Sequence, residues 1–178
     1  STIGRYTGIG LSDDPATSLN QTPMFAPTVF NFFRPGYVPT SKVITDAGLV
    51  VPELQITHDV SVAGYMNYMR NIATVNASRD IQQDYSAELA LAEDPGALVD
   101  RMNLLLFSGG MPDALKTTLV ATVGSRTVPG PSYPAGTPTS ALATTPPTNQ
   151  AAIDAAKLDR VYLAVYLSMA SPDYLIQK

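Results

Sequence analysis

The chain is expected to be mainly α-helical, with four or five helices forming an irregular bundle behind an extended aromatic arm rich in proline and glycine. Three observations predict this. Beyond residue 57, apolar residues recur at spacings of three and four, the period of a helix with one buried face. The stretches carrying that period are bracketed by capping residues and by glycine or proline stops. Upstream, Pro27, Pro35 and Gly36 prevent one long helix, yet the same short segment holds Phe30, Phe32 and Phe33, three of the chain's five phenylalanines. So much aromatic surface on non-helical backbone calls for burial against something else.

The expected domains are an arm over residues 1–56 that packs on the bundle, and a helical domain over 57–178. In the arm, the apolar groups Val43-Ile44 and Leu49 to Val51 are short enough to make at most brief strands or extended packing. A capping residue within 57–59 then precedes Val62, Tyr65, Met66, Met69, Ile72 and Ala73, an apolar face that predicts a helix ending near Asn76. Asp84 and Ser86 are both able to cap a short helix running through Leu89 and Leu91 to Glu93. Asp94-Pro95 starts the next one, because the carboxylate accepts a free N–H and proline at the first helical position forfeits none that was needed. Leu98, Val99, Met102, Leu105 and Leu106 follow on one face, and Gly109-Gly110 is the expected left-handed stop.

Pro112 opens a further helix with Leu115, Leu119 and Val123 spaced by four, closing at Gly124. The stretch 125–148 carries six prolines, six threonines and a single charge, Arg126. It is too poor in apolar residues to order itself by burial, so a mobile surface loop is expected. Thr148 or Asn149 caps the last long helix, where Ile153, Leu158, Val161, Ala164, Val165 and Leu167 suggest burial on more than one side. Ser171-Pro172 repeats the cap-plus-proline device before Tyr174 and Leu175.

At 178 residues the chain suits one domain with an attached arm; a domain of roughly 150 residues buries about two-thirds of its unfolded surface. Fifteen acidic residues against eleven basic ones leave a net charge of −4 with no basic cluster, which argues against a nucleic-acid or anionic-membrane partner. There is no cysteine, hence no disulfide and no thiolate metal site. The first twenty residues lack an apolar run and a basic leader, and the chain begins Ser-Thr; it reads as a piece of something longer or as a processed product, and no membrane insertion is expected.

Several of these stretches, in this order, resemble the C-terminal region of the bacterial "domain of unknown function 1800" family. They are Pro27 to Tyr37 with its Asn31-Phe32-Phe33-Arg34-Pro35-Gly36-Tyr37 element, Val51 to Thr57, the helical pattern around Val62 to Asn67, Leu98 to Leu106, and Ala170-Ser171-Pro172-Asp173-Tyr174-Leu175. The resemblance implies a helical fold, a place in a longer chain, and export to the periplasm or outside the cell. It implies no catalytic residue, and the 125–148 loop is longer than the connection the family usually has.

Candidate sites are few. His58 is the only histidine, and the nearest acids, Glu53 and Asp59, are not at a ligand spacing, so a capping role is favoured over a metal role. Glu53 and Asp59 themselves form a conceivable acid and base pair of the glycosidase type, the plainer alternative being a solvated Glu53 and an Asp59 favoured by the helix dipole. Arg34 offers the paired donors of a carboxylate or phosphate clamp; stacking on a ring and bonding loop carbonyls is the simpler expectation. Asp100-Arg101 and Asp159-Arg160 are expected on exposed faces. Tyr65, Tyr68, Tyr162 and Tyr166 repeat at three and four, as a sugar-stacking row or, more simply, as residues at the core's edge. Ser61 and Ser168 have no histidine within reach of a triad argument. Neither Gly8-Ile9-Gly10 nor Ser108-Gly109-Gly110 has the setting of a phosphate loop.

These readings lead to a non-catalytic structural or interaction module, with Phe30, Phe32, Phe33 and Tyr37 as packing anchors and with no metal and no cofactor expected. Its partner is the remainder of a parent chain or another protein. The alternatives are a segment lining the cleft of an enzyme for cell-envelope or extracellular polymer, through Arg34, Glu53, Asp59 and Tyr65, or a carbohydrate-binding module.

Overall fold

A computed structural model describes residues 19–21, 26, 28–74, 83–142 and 144–175. Phe25, Pro27, Gly8 to Gly10 and the expected helix end near Asn76 lie outside the described residues. The described chain is helical, with no strand beyond a single bridge between Thr28 and Asn31. It divides into two compact units, Ser1–Gln82 and Gln83–Lys178.

The first unit begins as a succession of turns. Asn31 donates its N–H to the Thr28 carbonyl at 3.0 Å, and the Thr28 hydroxyl accepts the Phe30 N–H at 3.2 Å. Asn31 completes this turn in left-handed backbone, φ +65°, a region asparagine tolerates better than most residues. Arg34 to Tyr37 form a second turn in which Pro35 supplies the fixed φ and Gly36 the positive one, +79°, closed by the Tyr37 N–H on the Arg34 carbonyl. Tyr37 then accepts the Val51 N–H at 2.9 Å.

Helix α1, Lys42–Asp46, replaces the strand or extended packing expected around Val43 and Ile44. Lys42 and Asp46 bridge at 2.6 Å across one turn, and Gly48 ends the turn at φ +64°. Local pairing and a left-handed glycine outweigh the β-branched pair between them. A 310 turn, Pro52–Ile56, leads to α2, Asp59–Ala73.

His58 caps α2. Its Nδ1 accepts the Ser61 N–H at 3.4 Å, while the Ser61 hydroxyl accepts the His58 N–H at 3.0 Å, a reciprocal pair that satisfies two donors at the helix start. The expected face of α2 is mostly buried, Ala73 fully and Tyr65, Met66, Met69 and Ile72 partly. Ser61 and Gly64 are buried as well and Tyr68 partly so, whereas Val62 is 50% exposed. We expect His58→Ala to destabilise the chain by about 1 kcal/mol in urea unfolding and His58→Asn to recover most of the loss. Equal midpoints for all three proteins would show that the cap contributes nothing.

The second unit is the bundle. Helix α3, Ser86–Leu89, is followed by two further turns that carry the chain to Asp94. Helix α4 is Pro95–Phe107, α5 Asp113–Gly124, α6 Gln150–Ala170 and α7 Pro172–Leu175. Helices α4, α5 and α6 pack mutually, with α3 and α7 against α6. Asp94 Oδ1 accepts the N–H groups of Gly96 and Ala97 at 2.8 and 3.2 Å, as the Asp-Pro start predicts. Ser171 repeats the device, donating to the Ser168 carbonyl and accepting the Tyr174 N–H.

The core is Ala92, Leu98, Val99, Met102, Met111, Leu119, Val123, Val161 and Ala164. Burying each of the larger side chains contributes about 1.5–3 kcal/mol. Leu105, expected on this face of α4, is 52% exposed. Helix α4 stops one residue earlier than its glycines suggest, because Ser108 itself takes the left-handed conformation, φ +53°, before Gly109 at +85°. Asn103 makes that possible: its carbonyl accepts the Gly109 N–H at 3.0 Å and its Oδ1 the Met111 N–H at 2.9 Å.

The chain between α5 and α6 has a fastened base. The Asn149 amide accepts the Ser132 N–H and donates to the Gly130 carbonyl, both at 2.8 Å, and the Thr148 N–H and hydroxyl both reach the Ser132 carbonyl. Asn149 stands at the start of α6 but spends its side chain on the loop, not on capping.

Candidate functional site

In the first unit the bond from the Arg34 N–H to Gln55 Oε1, 2.7 Å, joins the aromatic segment to the 310 turn that carries Glu53. It is the main chain of Arg34 that is held here, and its side chain is exposed. Glu53 is exposed in that turn, and Asp59 is exposed at the first position of α2, where a carboxylate is favoured by the helix dipole. Tyr65 is half-buried on α2. Six residues of helix separate Asp59 from Tyr65 by about 9 Å along the axis and about 120° around it, so the two side chains leave different faces.

The aromatic anchors differ among themselves. Phe30 is 58% exposed at its turn, beside Val29 at 96%, while Phe32, Phe33 and Tyr37 are partly buried. Tyr65, Tyr68, Tyr162 and Tyr166 are all partly buried as well.

His58 does stand beside Ser61, a proximity the serine spacing concealed, but the geometry is that of a cap. The imidazole Nδ1 faces the Ser61 main-chain N–H, and the Ser61 hydroxyl points its proton toward the carbonyls of Ile56 and His58. No bond runs from imidazole to hydroxyl, so the pair lacks the nucleophile-to-base contact of acyl transfer. Among the described residues no three of His, Asp or Glu gather as a metal site.

The best-organised polar group lies in the second unit, on residues expected at the surface. Arg160 is 8% exposed. Its Nε donates to the Arg126 carbonyl at 2.6 Å, and its Nη1 to the carbonyls of Ala92 and Glu93 at 2.9 and 3.2 Å. One guanidinium thus ties the turn before α4 and the end of α5 to the middle of α6, as only a planar fork of donors can. Arg101 is likewise not merely solvated: its Nε meets Oε1 of the buried Glu88 at 3.1 Å.

The surrounding groups are electrostatically matched. Lys157 bonds Glu93 at 2.6 Å and holds its carboxyl below the usual range, with Arg160 adding to the effect. The Ser86 N–H and hydroxyl do the same for Asp84. Burial, and then the neighbouring Tyr162 and Glu88, push the Tyr85 phenol up to about 12. Tyr85 and Tyr162 meet edge to face at 5.8 Å, and Phe107 and Tyr174 do so at 6.0 Å. The Lys157–Glu93 and Arg101–Glu88 pairs each fasten one helix or turn to another, and Asp84 holds the start of α3. None of these bonds leaves an acid and a base directed at a common space.

The signal that marks Arg160 is positional. It lies seven residues after Ile153 and four before Ala164, on the buried side of α6; the adjacent Asp159 made the pair look like a solvated couple.

Over residues 6–176, nearly the whole chain, the sequence matches the model of the family described as Protein of unknown function (DUF1800). The chain belongs to this family. No curated protein and no solved structure matches it. The DUF1800 match takes in the aromatic turns as well as the bundle, so both units are family features. No helix among the described residues is long and apolar enough to cross a membrane.

Proposed function

We propose that this DUF1800 chain is a non-catalytic structural or interaction module, the C-terminal part of an exported bacterial protein, and that its first unit is the surface it docks with. One observation carries the reading. Of eleven large apolar side chains exposed among the described residues, eight lie in the first unit: Val29, Phe30, Val38, Val43, Leu49, Val50, Val60 and Val62. Among the described residues of that unit only Ala73 is a buried apolar residue. Apolar surface concentrated in this way marks an interaction site. The covering surface is the remainder of the parent chain or a protein partner.

The test expresses this chain and the rest of its parent polypeptide as two separate pieces. The pieces should co-purify one to one, and a Val29→Ser, Phe30→Ser, Val43→Ser variant should weaken that association at least tenfold. Substitutions at such exposed positions leave the stability of the chain alone within about 0.5 kcal/mol. Wild-type pieces that elute separately would overturn the reading.

A further inference from the structure

We propose that the loop between α5 and α6 is a site of O-glycosylation, with Thr139 and Ser140 as its acceptor hydroxyls. The inference rests on the export part of the reading above and on nothing else in it. From Thr127 to Ile153 no residue is charged, an unusual composition for a segment in which most of the described residues are exposed. Hydroxyl residues interleaved with prolines are the composition of sugar-bearing stalks, in which carbohydrate supplies the hydration that charge supplies elsewhere.

The geometry narrows the choice of acceptors. Asn149 and Thr148 clasp Ser132 and Gly130, so the segment beyond them is presented as a closed projection and not as a loose strand. Several hydroxyls on it are already engaged: Thr148 reaches Ser132, and Thr137 donates to the Pro134 carbonyl at 2.8 Å. Thr139 and Ser140 are exposed, make no side-chain hydrogen bond, and open a short 310 turn, Thr139–Ala141, that Pro138 enters at φ −63°, ψ 144°. A turn fixed by the proline before it presents its free hydroxyls at little cost in ordering entropy to a transferase. Phosphorylation is less well served, because kinases select substrates partly by charge pattern and this segment has none.

In the transfer, the acceptor Oγ bonds to the anomeric carbon of a sugar activated as a nucleotide or lipid phosphate ester. The bond from that carbon to the phosphate oxygen breaks with its electron pair on the phosphate, and the hydroxyl proton passes to the transferase's base.

The test purifies the chain from the exported fraction of the cell that makes it and digests it with trypsin. Cleavage after Arg126 and Lys157 releases residues 127–157 as one peptide. That peptide should exceed its sequence mass by one or more whole sugar residues, lose them on alkaline β-elimination, and carry none at these positions in a Thr139→Ala, Ser140→Ala variant. A peptide of unmodified mass from exported chain overturns the proposal and leaves the module reading intact. Sugars confined to other hydroxyls overturn the assignment to Thr139 and Ser140. A chain found only in the cytoplasm overturns the export reading and this proposal with it.

Discussion

Replacing Arg160 with methionine should destabilise the chain by about 3–5 kcal/mol, the cost typical of removing one partner from a buried charged network. Methionine fills much of the same volume, so the loss comes from the carbonyls of Ala92, Glu93 and Arg126, which keep their desolvation and lose their donors. Arg160→Lys should recover only part of the loss, because an ammonium is a point charge without the fork that spans two loops. Asp159→Asn is the neighbouring control. Its carboxylate meets Arg126 at 3.5 Å with both side chains 58% exposed, and such pairs contribute about 0–1 kcal/mol. Urea unfolding followed by circular dichroism measures all three. A methionine variant within 1 kcal/mol of the wild type would mean that water reaches those carbonyls and that the fork is dispensable.

Leu98→Ala should cost about 3–5 kcal/mol by the same measurement, since it removes a fully buried side chain from the centre of the α4, α5 and α6 packing. Transfer free energy accounts for part of this and the cavity for the rest, because Met102, Leu119, Val123 and Val161 belong to helices that cannot all close on one gap. Leu104→Ala makes the comparison internal to one helix. Leu104 is 63% exposed, and its removal should register within about 0.5 kcal/mol. Two leucines six positions apart would then differ several-fold in effect for no reason but packing. Equal costs would contradict the core assignment.

Which features of the fold were legible in the residues follows from the range of the forces involved. Helices α4, α5 and α6 could be read because the local signals, caps, spacing and stops, agree with the tertiary packing. Asp94-Pro95 and Ser171-Pro172 act through bonds spanning two or three residues, so the sequence contains the whole interaction. Helix α1 departs from the expected extended packing because the Lys42 and Asp46 pair encloses the β-branched Val43 and Ile44. On α2 the departures are narrower: Val62 is exposed, and Ser61 and Gly64 are buried. Apolar periodicity gives small residues such as Ser61 and Gly64 no weight. Arg160 lay furthest from reach, since its carbonyl partners are 34 to 68 residues away and a backbone acceptor has no signature in residue type. Of the candidate site, the capping preference of His58 and the dipole-favoured position of Asp59 were visible; the tie from Arg34 to Gln55 crosses 21 residues and was not.

The Asn149 amide fastened to Ser132 and Gly130 also uncouples the span between α5 and α6 from the helices themselves. With the crossing point fixed by four short bonds, whatever lies beyond it is a closed ring of chain whose circumference is nearly arbitrary. Doubling the length of a flexible ring costs only about 0.6 kcal/mol of closure entropy. A sequence lineage is therefore free to lengthen or trim this appendage, residue by residue, without disturbing the scaffold from which it hangs.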